Sequence, residues 1–179
     1  MKLSWRTLTR RQAERRLFQE LRGRIFHITS TSNFLEIVRA GAIKHNRDGE
    51  LKSNGNYNAY FKNRGCVSFC DLHGNLQPRK VREAALRKYD IFGQGDGERS
   101  VFLFLHPSKY EKIISWTHWK AEKAWSEMVV PHLEAGYPGS VPLHEVEEAL
   151  LVHIPLSESA ATFLRATQEA QSGERHNAA

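Results

Sequence analysis

Hydrophobic positions along the chain fall into short blocks separated by polar, glycine-rich stretches. Near the start, Ala13, Leu17 and Leu21 recur every four residues with Phe18 beside them, the stripe of an amphipathic helix. Thr9 and Gln12 have capping-box spacing at its start, and Gly23 suits its C-terminal end. Arg24–Thr29 (RIFHIT) alternates and is rich in strand formers, so it reads as a strand. Thr31 or Ser32 can cap a following helix that carries Phe34, Leu35, Ile37 and Val38 and stops at Gly41. His45 to Asn63 is polar and reads as a long loop. Cys66–Cys70 (CVSFC) reads as a buried strand, Pro78–Tyr89 as a helix, and Val101–Leu105 (VFLFL) as a central strand. Tyr110–Lys123 is rich in aromatics and fits neither period. Met128–His132 and Ala149–Ile154 are further strand candidates, with a turn region at Gly136–Pro142 between them. A last helix is predicted over Ser157–Ala170, and Gln171–Ala179 reads as a fraying tail. Helix, strand, helix, then mostly strands with helical insertions is an α+β order in a single domain.

The 179 residues suffice for one packed domain without disulfides. Two cysteines, Cys66 and Cys70, are too few for a secreted disulfide scaffold and point to a reducing, cytoplasmic setting. No apolar run approaches the roughly 18 residues that cross a bilayer, so no membrane partner is expected. The net charge of +6 is concentrated. Residues 1–24 carry eight basic side chains against two acidic ones, and the rest of the chain balances to neutrality. The segment is therefore a basic amphipathic helix with Arg11, Arg15 and Arg22 on a face away from the apolar stripe. Guanidinium forks match phosphate oxygens, which makes DNA or RNA a candidate partner. A solvated helix packed at the domain edge gives the same pattern.

His27 shares a strand face with Thr29, opposite Phe26 and Ile28. A histidine so placed can hydrogen-bond a ligand hydroxyl in a cleft, or can be paired within the fold. The late histidines His118, His132, His144 and His153 lack metal-ligand spacing, so no metal is expected. Cys66 has apolar neighbours and reads as inert. The glycines at 93, 95 and 97 lack the context of a phosphate loop and read as a turn.

The segment Ile25–Ile43 (IFHITSTSNFLEIVRAGAI), a His-x-Thr strand followed by a helix ending at a glycine, resembles the opening of the histidine-type branch of the ADP-ribosyltransferase superfamily. That branch includes the DarT-like enzymes. The resemblance implies a split, mainly antiparallel sheet with a central cleft, flanked here by the N-terminal basic helix over 1–24. The remaining ADP-ribosyltransferase-like domain would span 25–170, with the tail at 171–179. It implies that NAD is the substrate, that His27 binds the nicotinamide-side ribose, and that Thr29 or Asn33 assists. In the second element of such a fold, Tyr60 would stack on nicotinamide and Arg64 would neutralise the pyrophosphate. The third element is a glutamate just before a strand, and Trp125–Val130 resembles it. Glu127 is then the catalytic carboxylate, because it can stabilise the oxocarbenium-like state of NAD cleavage or activate the acceptor. Glu148 is the competing candidate.

Phe69–Leu72 together with Lys88–Gly93 is also similar to abortive-infection proteins of the antitoxin type. That similarity implies a second function, a non-catalytic phage-defence module binding a cognate toxin, an antitoxin or nucleic acid.

Overall fold

In the computed structural model, the described residues are 1–49, 59–74, 78–88, 99–127 and 129–155. Eight strands lie among them: β1 (Lys2–Thr7), β2 (Ile25–Ser30), β3 (Ala42–Ile43), β4 (Cys66–Asp71), β5 (Arg99–Leu105), β6 (Glu134–Pro138), β7 (Val141–Pro142) and β8 (Val146–His153). Helix α1 runs through three consecutive pieces, Arg10–Gln12, a π-type stretch Ala13–Leu17, and Phe18–Leu21. It is followed by α2 (Thr31–Ala40), α3 (Ala59–Asn63), α4 (Arg79–Lys88) and α5 (Trp116–Ala121). Short 3-10 turns cover Pro107–Lys112, Ala124–Glu127 and Leu143–Glu145. The chain is therefore α+β, as its pattern predicts.

Six strands form one sheet in the order β1-β8-β5-β2-β4-β6, and β3 pairs with β7 in a small second one. Every neighbour in the large sheet is antiparallel except β1 and β8, which run parallel. β5 sits inside it with Val101–Leu105 wholly buried, which is why its five apolar residues do not alternate with polar ones. Phe102 and Phe104 face one side, where Leu8, Ala13, Leu17 and Leu21 from the N-terminal segment join Phe26, Leu86 and Leu150. Val101, Leu103 and Leu105 face the other, with Ile25, Phe34, Val67, Phe69 and Tyr137. A third cluster of Tyr60, Phe61, Trp116 and Trp119 packs beyond β4 and β6.

The pairing of β2 decides the geometry of the site. Against β5 it keeps five pairs, from Phe26↔Phe104 to Ser30↔Ser100. Against β4 it keeps two, Ile25↔Asp71 and Phe26↔Cys70, and there the ladder ends. β4 meanwhile pairs fully with β6. The sheet thus forks at residue 27, with β1-β8-β5-β2 on one arm and β4-β6 on the other.

The Thr9–Gln12 capping box is present in both directions: Thr9 N–H donates to Gln12 Oε1 (3.0 Å) and Gln12 N–H to Thr9 Oγ1 (3.3 Å). Gly41 ends α2 at φ +69°, a backbone conformation that favours glycine. The structure differs from the sequence reading elsewhere. The segment 1–24 is not helical throughout, because Lys2–Thr7 form the edge strand β1. The cap of α2 is Ser30, whose Oγ accepts from Asn33 N–H, rather than Thr31 or Ser32. Val129–His132 are not a strand, since Val130 N–H turns back to the Glu134 carboxylate. The stretch read as a turn at Gly136–Pro142 contains the end of β6 and all of β7, joined through Gly139 at φ +75°. The end of the polar stretch, Ala59–Asn63, is helical. Residues 50–58, the three glycines at 93–97, the helix expected over 157–170 and the tail at 171–179 lie outside the described residues.

Candidate functional site at the sheet fork

The fork opens from residue 27 toward the Ser30 end of β2 and the Cys66 end of β4. His27 stands at its vertex. Its Nδ1 lies 2.8 Å from the Ser68 carbonyl oxygen, on the strand from which β2 has just parted. A carbonyl oxygen only accepts, so Nδ1 carries the proton. Burial lowers the imidazole pKa, and the Ser68 bond offsets this only in part, so the ring is neutral at pH 7. A neutral ring protonated at Nδ1 leaves Nε2 as an acceptor. The Phe69 ring, 5.9 Å away between centroids, packs beside it. The imidazole therefore replaces the missing ladder and is held in one tautomer.

Thr29 lies two residues along the same face, half-buried. Asn33 is exposed in the first turn of α2, immediately past the open end of β2. On the other arm, α3 and Arg64–Gly65 lead directly into the Cys66 end of β4, and Tyr60 is buried there in the aromatic cluster with Phe61, Cys66 and Trp119. Tyr60 and Arg64 are in contact with each other. The Arg64 guanidinium carbon lies 3.5 Å from the Tyr60 ring centroid. Both bind Glu122: Tyr60 Oη donates to Oε2 at 2.8 Å, and Arg64 Nε and Nη2 reach it at 3.0 and 2.9 Å. Burial and the Glu122 bond push the Tyr60 hydroxyl up to about 12, and the Tyr60 and Arg64 bonds lower the Glu122 pKa. His118 adds a contact at 3.1 Å to the other Glu122 oxygen. One face of Arg64 is thus committed to a partner that sequence reasoning missed, because Glu122 is 58 positions away and belongs to no motif.

Glu127 is exposed at the end of the 3-10 turn Ala124–Glu127. The strand expected to follow it begins only at Glu134, so the glutamate-then-strand succession does not hold at this residue. Its charge reaches the Tyr60 hydroxyl. Among the described residues no hydrogen bond joins it to His27. Glu148 lies within β8 rather than before it. Ser4 Oγ donates to its Oε1 at 2.7 Å and Arg24 Nη2 to its Oε2 at 3.0 Å. Burial raises its pKa, but these two partners outweigh burial and hold it below the usual carboxylate value. Glu148 is thereby used to tie β1, β8 and β2 together.

The residue that does open a strand beside the fork is Glu134, which the sequence reading passed over. Its Oε1 accepts from Ser68 Oγ (3.2 Å) and its Oε2 from Val130 N–H (2.6 Å). Ser68 thus connects Glu134 to His27, through its side chain on one side and its carbonyl on the other. The turn residues Pro131–Leu133 before Glu134 are the local signal that could have marked a strand start there.

Arg11, Arg15 and Arg22 are all exposed, on the first face of the sheet and apart from His27. Cys66 and Cys70 are free, and burial raises both thiol pKa values, so neither is an activated nucleophile. Among the described residues no group of three or more His, Cys, Asp or Glu could hold a metal ion. Among them, too, no helix is long and apolar enough to cross a membrane. The chain matches no protein-family model, no curated protein and no solved structure.

Proposed function

We propose that the chain is an ADP-ribosyltransferase-like protein that takes NAD as substrate, cleaves the nicotinamide–ribose bond and passes ADP-ribose to a nucleic-acid or protein acceptor. The observation that carries this reading is the forked sheet with His27 at its vertex. A neutral imidazole, fixed by the Ser68 carbonyl, offers Nε2 to a ribose hydroxyl without reorganising. In this reading a dinucleotide would extend from His27 past Thr29 and Asn33, with Arg64 neutralising its pyrophosphate. The Tyr60 ring is buried, with Phe61 and Trp119 beside it and the Arg64 guanidinium over it, so it cannot stack on nicotinamide as expected and would serve by holding Arg64 in place. Glu127 supplies the negative charge that stabilises the oxocarbenium-like state or takes the proton of the attacking acceptor. The exposed arginines Arg11, Arg15 and Arg22 favour a polyanionic acceptor.

The test is release of nicotinamide from NAD by the wild-type chain, His27→Ala and Glu127→Gln. Wild-type release, with each variant lower by about 100-fold or more, is the expected outcome for groups acting at the transition state. Release that persists in Glu127→Gln removes the carboxylate from the mechanism.

A second reading is a non-catalytic module of the abortive-infection or antitoxin type, binding a cognate toxin, an antitoxin or nucleic acid. It is favoured by the lack, among the described residues, of any hydrogen bond between Glu127 and His27, and by the engagement of Glu148 with Ser4 and Arg24. No nicotinamide release from any form, with a nucleic-acid mobility shift retained at low salt, selects this reading over the enzyme.

A further inference from the structure

On the face of the sheet opposite the His27 ring, a cavity of about 350 Å³ lies between the N-terminal segment and α4. Phe18 and Arg22 line it from one side, Leu72 and Gly74 from the chain after β4, and Arg79 and Arg82 from α4. Three arginines therefore line one hollow, with Phe18 in its wall. Arg22 is exposed and has no acidic partner among the described residues. Arg79 gives its Nε to Glu83 at 2.5 Å, which leaves its two terminal nitrogens. Asp71 is the other carboxyl whose charge acts on this group, and burial raises its pKa.

Arg82 is the unusual member. It is 7% exposed and bonds only to carbonyl oxygens, Gly74 at 2.9 Å and His73 at 3.4 Å from Nη1. Among the described residues no carboxylate touches it, and its Nε is buried with no hydrogen-bond partner. A buried cation without an ion pair is costly, and a buried donor without an acceptor adds to that cost. An anion in the cavity would compensate the charge.

We propose that this cavity binds the terminal phosphate of a nucleotide, either free or at the end of a nucleic-acid strand, with the phosphate on the three arginines and the nucleoside against Phe18. A phosphomonoester carries about −1.5 to −2 charges at pH 7 and three acceptor oxygens, which suits a hollow lined by three arginines better than the single charge of an internal phosphodiester. A phosphate ion alone would leave most of the 350 Å³ to water, whereas small-molecule sites begin at roughly 300 Å³. The inference does not depend on NAD cleavage, since none of the cavity residues belongs to the fork.

The experiment is isothermal calorimetry of the full chain in phosphate-free buffer. The ligands are AMP, adenosine, inorganic phosphate, and one oligonucleotide with and without a 5′-phosphate. AMP is expected to bind at least about tenfold more tightly than adenosine, the factor typical of charge-assisted hydrogen bonds. Tighter binding of the phosphorylated oligonucleotide than of its unphosphorylated twin identifies a strand end, and binding of AMP alone identifies a free nucleotide. Arg22→Gln and Arg79→Gln, both at exposed residues and so not at risk of unfolding the chain, should each weaken AMP by about tenfold. Arg39→Gln, which removes a charge elsewhere, should leave it unchanged. Equal affinity for AMP and adenosine, or wild-type affinity in both cavity variants, overturns the proposal. Inorganic phosphate binding as tightly as AMP removes the nucleoside from it.

Discussion

Glu145 is 6% exposed yet stays charged, because Lys112 Nζ lies 2.8 Å from one carboxylate oxygen and the Tyr137 hydroxyl donates to the other. Lys112 first, then Tyr137, lowers its pKa below the usual carboxylate value. A carboxyl whose pKa is depressed by folding stabilises the fold above its unfolded pKa, roughly 4.3, and that contribution is lost as the pH falls through the folded value. Glu145→Gln should therefore cost about 2 kcal/mol at pH 7, as expected when a charged hydrogen-bond acceptor is removed. In urea unfolding, the gap from wild type should narrow as the pH falls below the unfolded carboxylate value of about 4.3, and a gap that is constant with pH would assign the loss to packing. Gly136 is a second residue with a sharp expectation. A Cβ there would lie 2.8 Å from Trp119 Cζ2 and 3.0 Å from two Phe61 ring atoms, and both rings are buried. Gly136→Ala should destabilise by about 1–3 kcal/mol, the usual cost of overpacking, read as a lower urea midpoint with an unchanged slope. The sequence marks Gly136 only as turn material, because close approach of aromatic rings from positions 61 and 119 leaves no local trace. His27 is the opposite case. Its face and its strand were legible from alternation, but its bond to the Ser68 carbonyl was not, since it depends on where two strands part.

At the scale of elements, helix α1 was readable because its signals are local: a capping box at one end, leucines at helical spacing, and Gly23 at φ +75° after it. β1 was not readable. Leu3 and Trp5 alternate with Lys2, Ser4 and Arg6, but the run is short, both apolar side chains stay exposed on this edge strand, and its basic residues merge in sequence with those of the helix that follows. β6 was hidden for a different reason, because Glu134–Pro138 contains both a glycine and a proline. The same structure governs how the basic segment can be tested. Leu17 and Leu21 are buried in the core, so removing the helix would unfold the domain before it reported on binding. Arg11→Gln with Arg15→Gln removes charge from exposed positions alone. If both bind phosphates, the slope of log affinity against log salt should become shallower by roughly 1.4–1.8, at 0.7–0.9 for each phosphate no longer neutralised. The melting temperature should not move. An unchanged slope returns these arginines to solvation of a surface helix.

For the whole molecule, the fork raises the question of whether its two arms are one folding unit. Two backbone pairs join β2 to β4, and at about 1 kcal/mol per hydrogen bond the ladder alone would let the arms separate. Packing across the fork is stronger. Val67, Phe69 and Tyr137 from the β4-β6 arm are buried with Ile25, Val101, Leu103 and Ala149 from the other. Each such side chain contributes about 1.5–3 kcal/mol by leaving water, so opening the arms costs more through the sheet face than through the ladder. The chain should therefore unfold in one transition. Trp116 and Trp119 are buried on the β4-β6 side, whereas Trp5 and Trp125 are already exposed in the fold, so the fluorescence change on unfolding is weighted to the β4-β6 side while far-ultraviolet circular dichroism averages over both arms. Their urea midpoints should coincide. If tryptophan fluorescence changes at lower urea than dichroism, the β4-β6 arm melts first. His27 would then lose its Ser68 partner in a partly folded state, and the tautomer on which the proposed ribose contact depends would not be fixed by the resting fold.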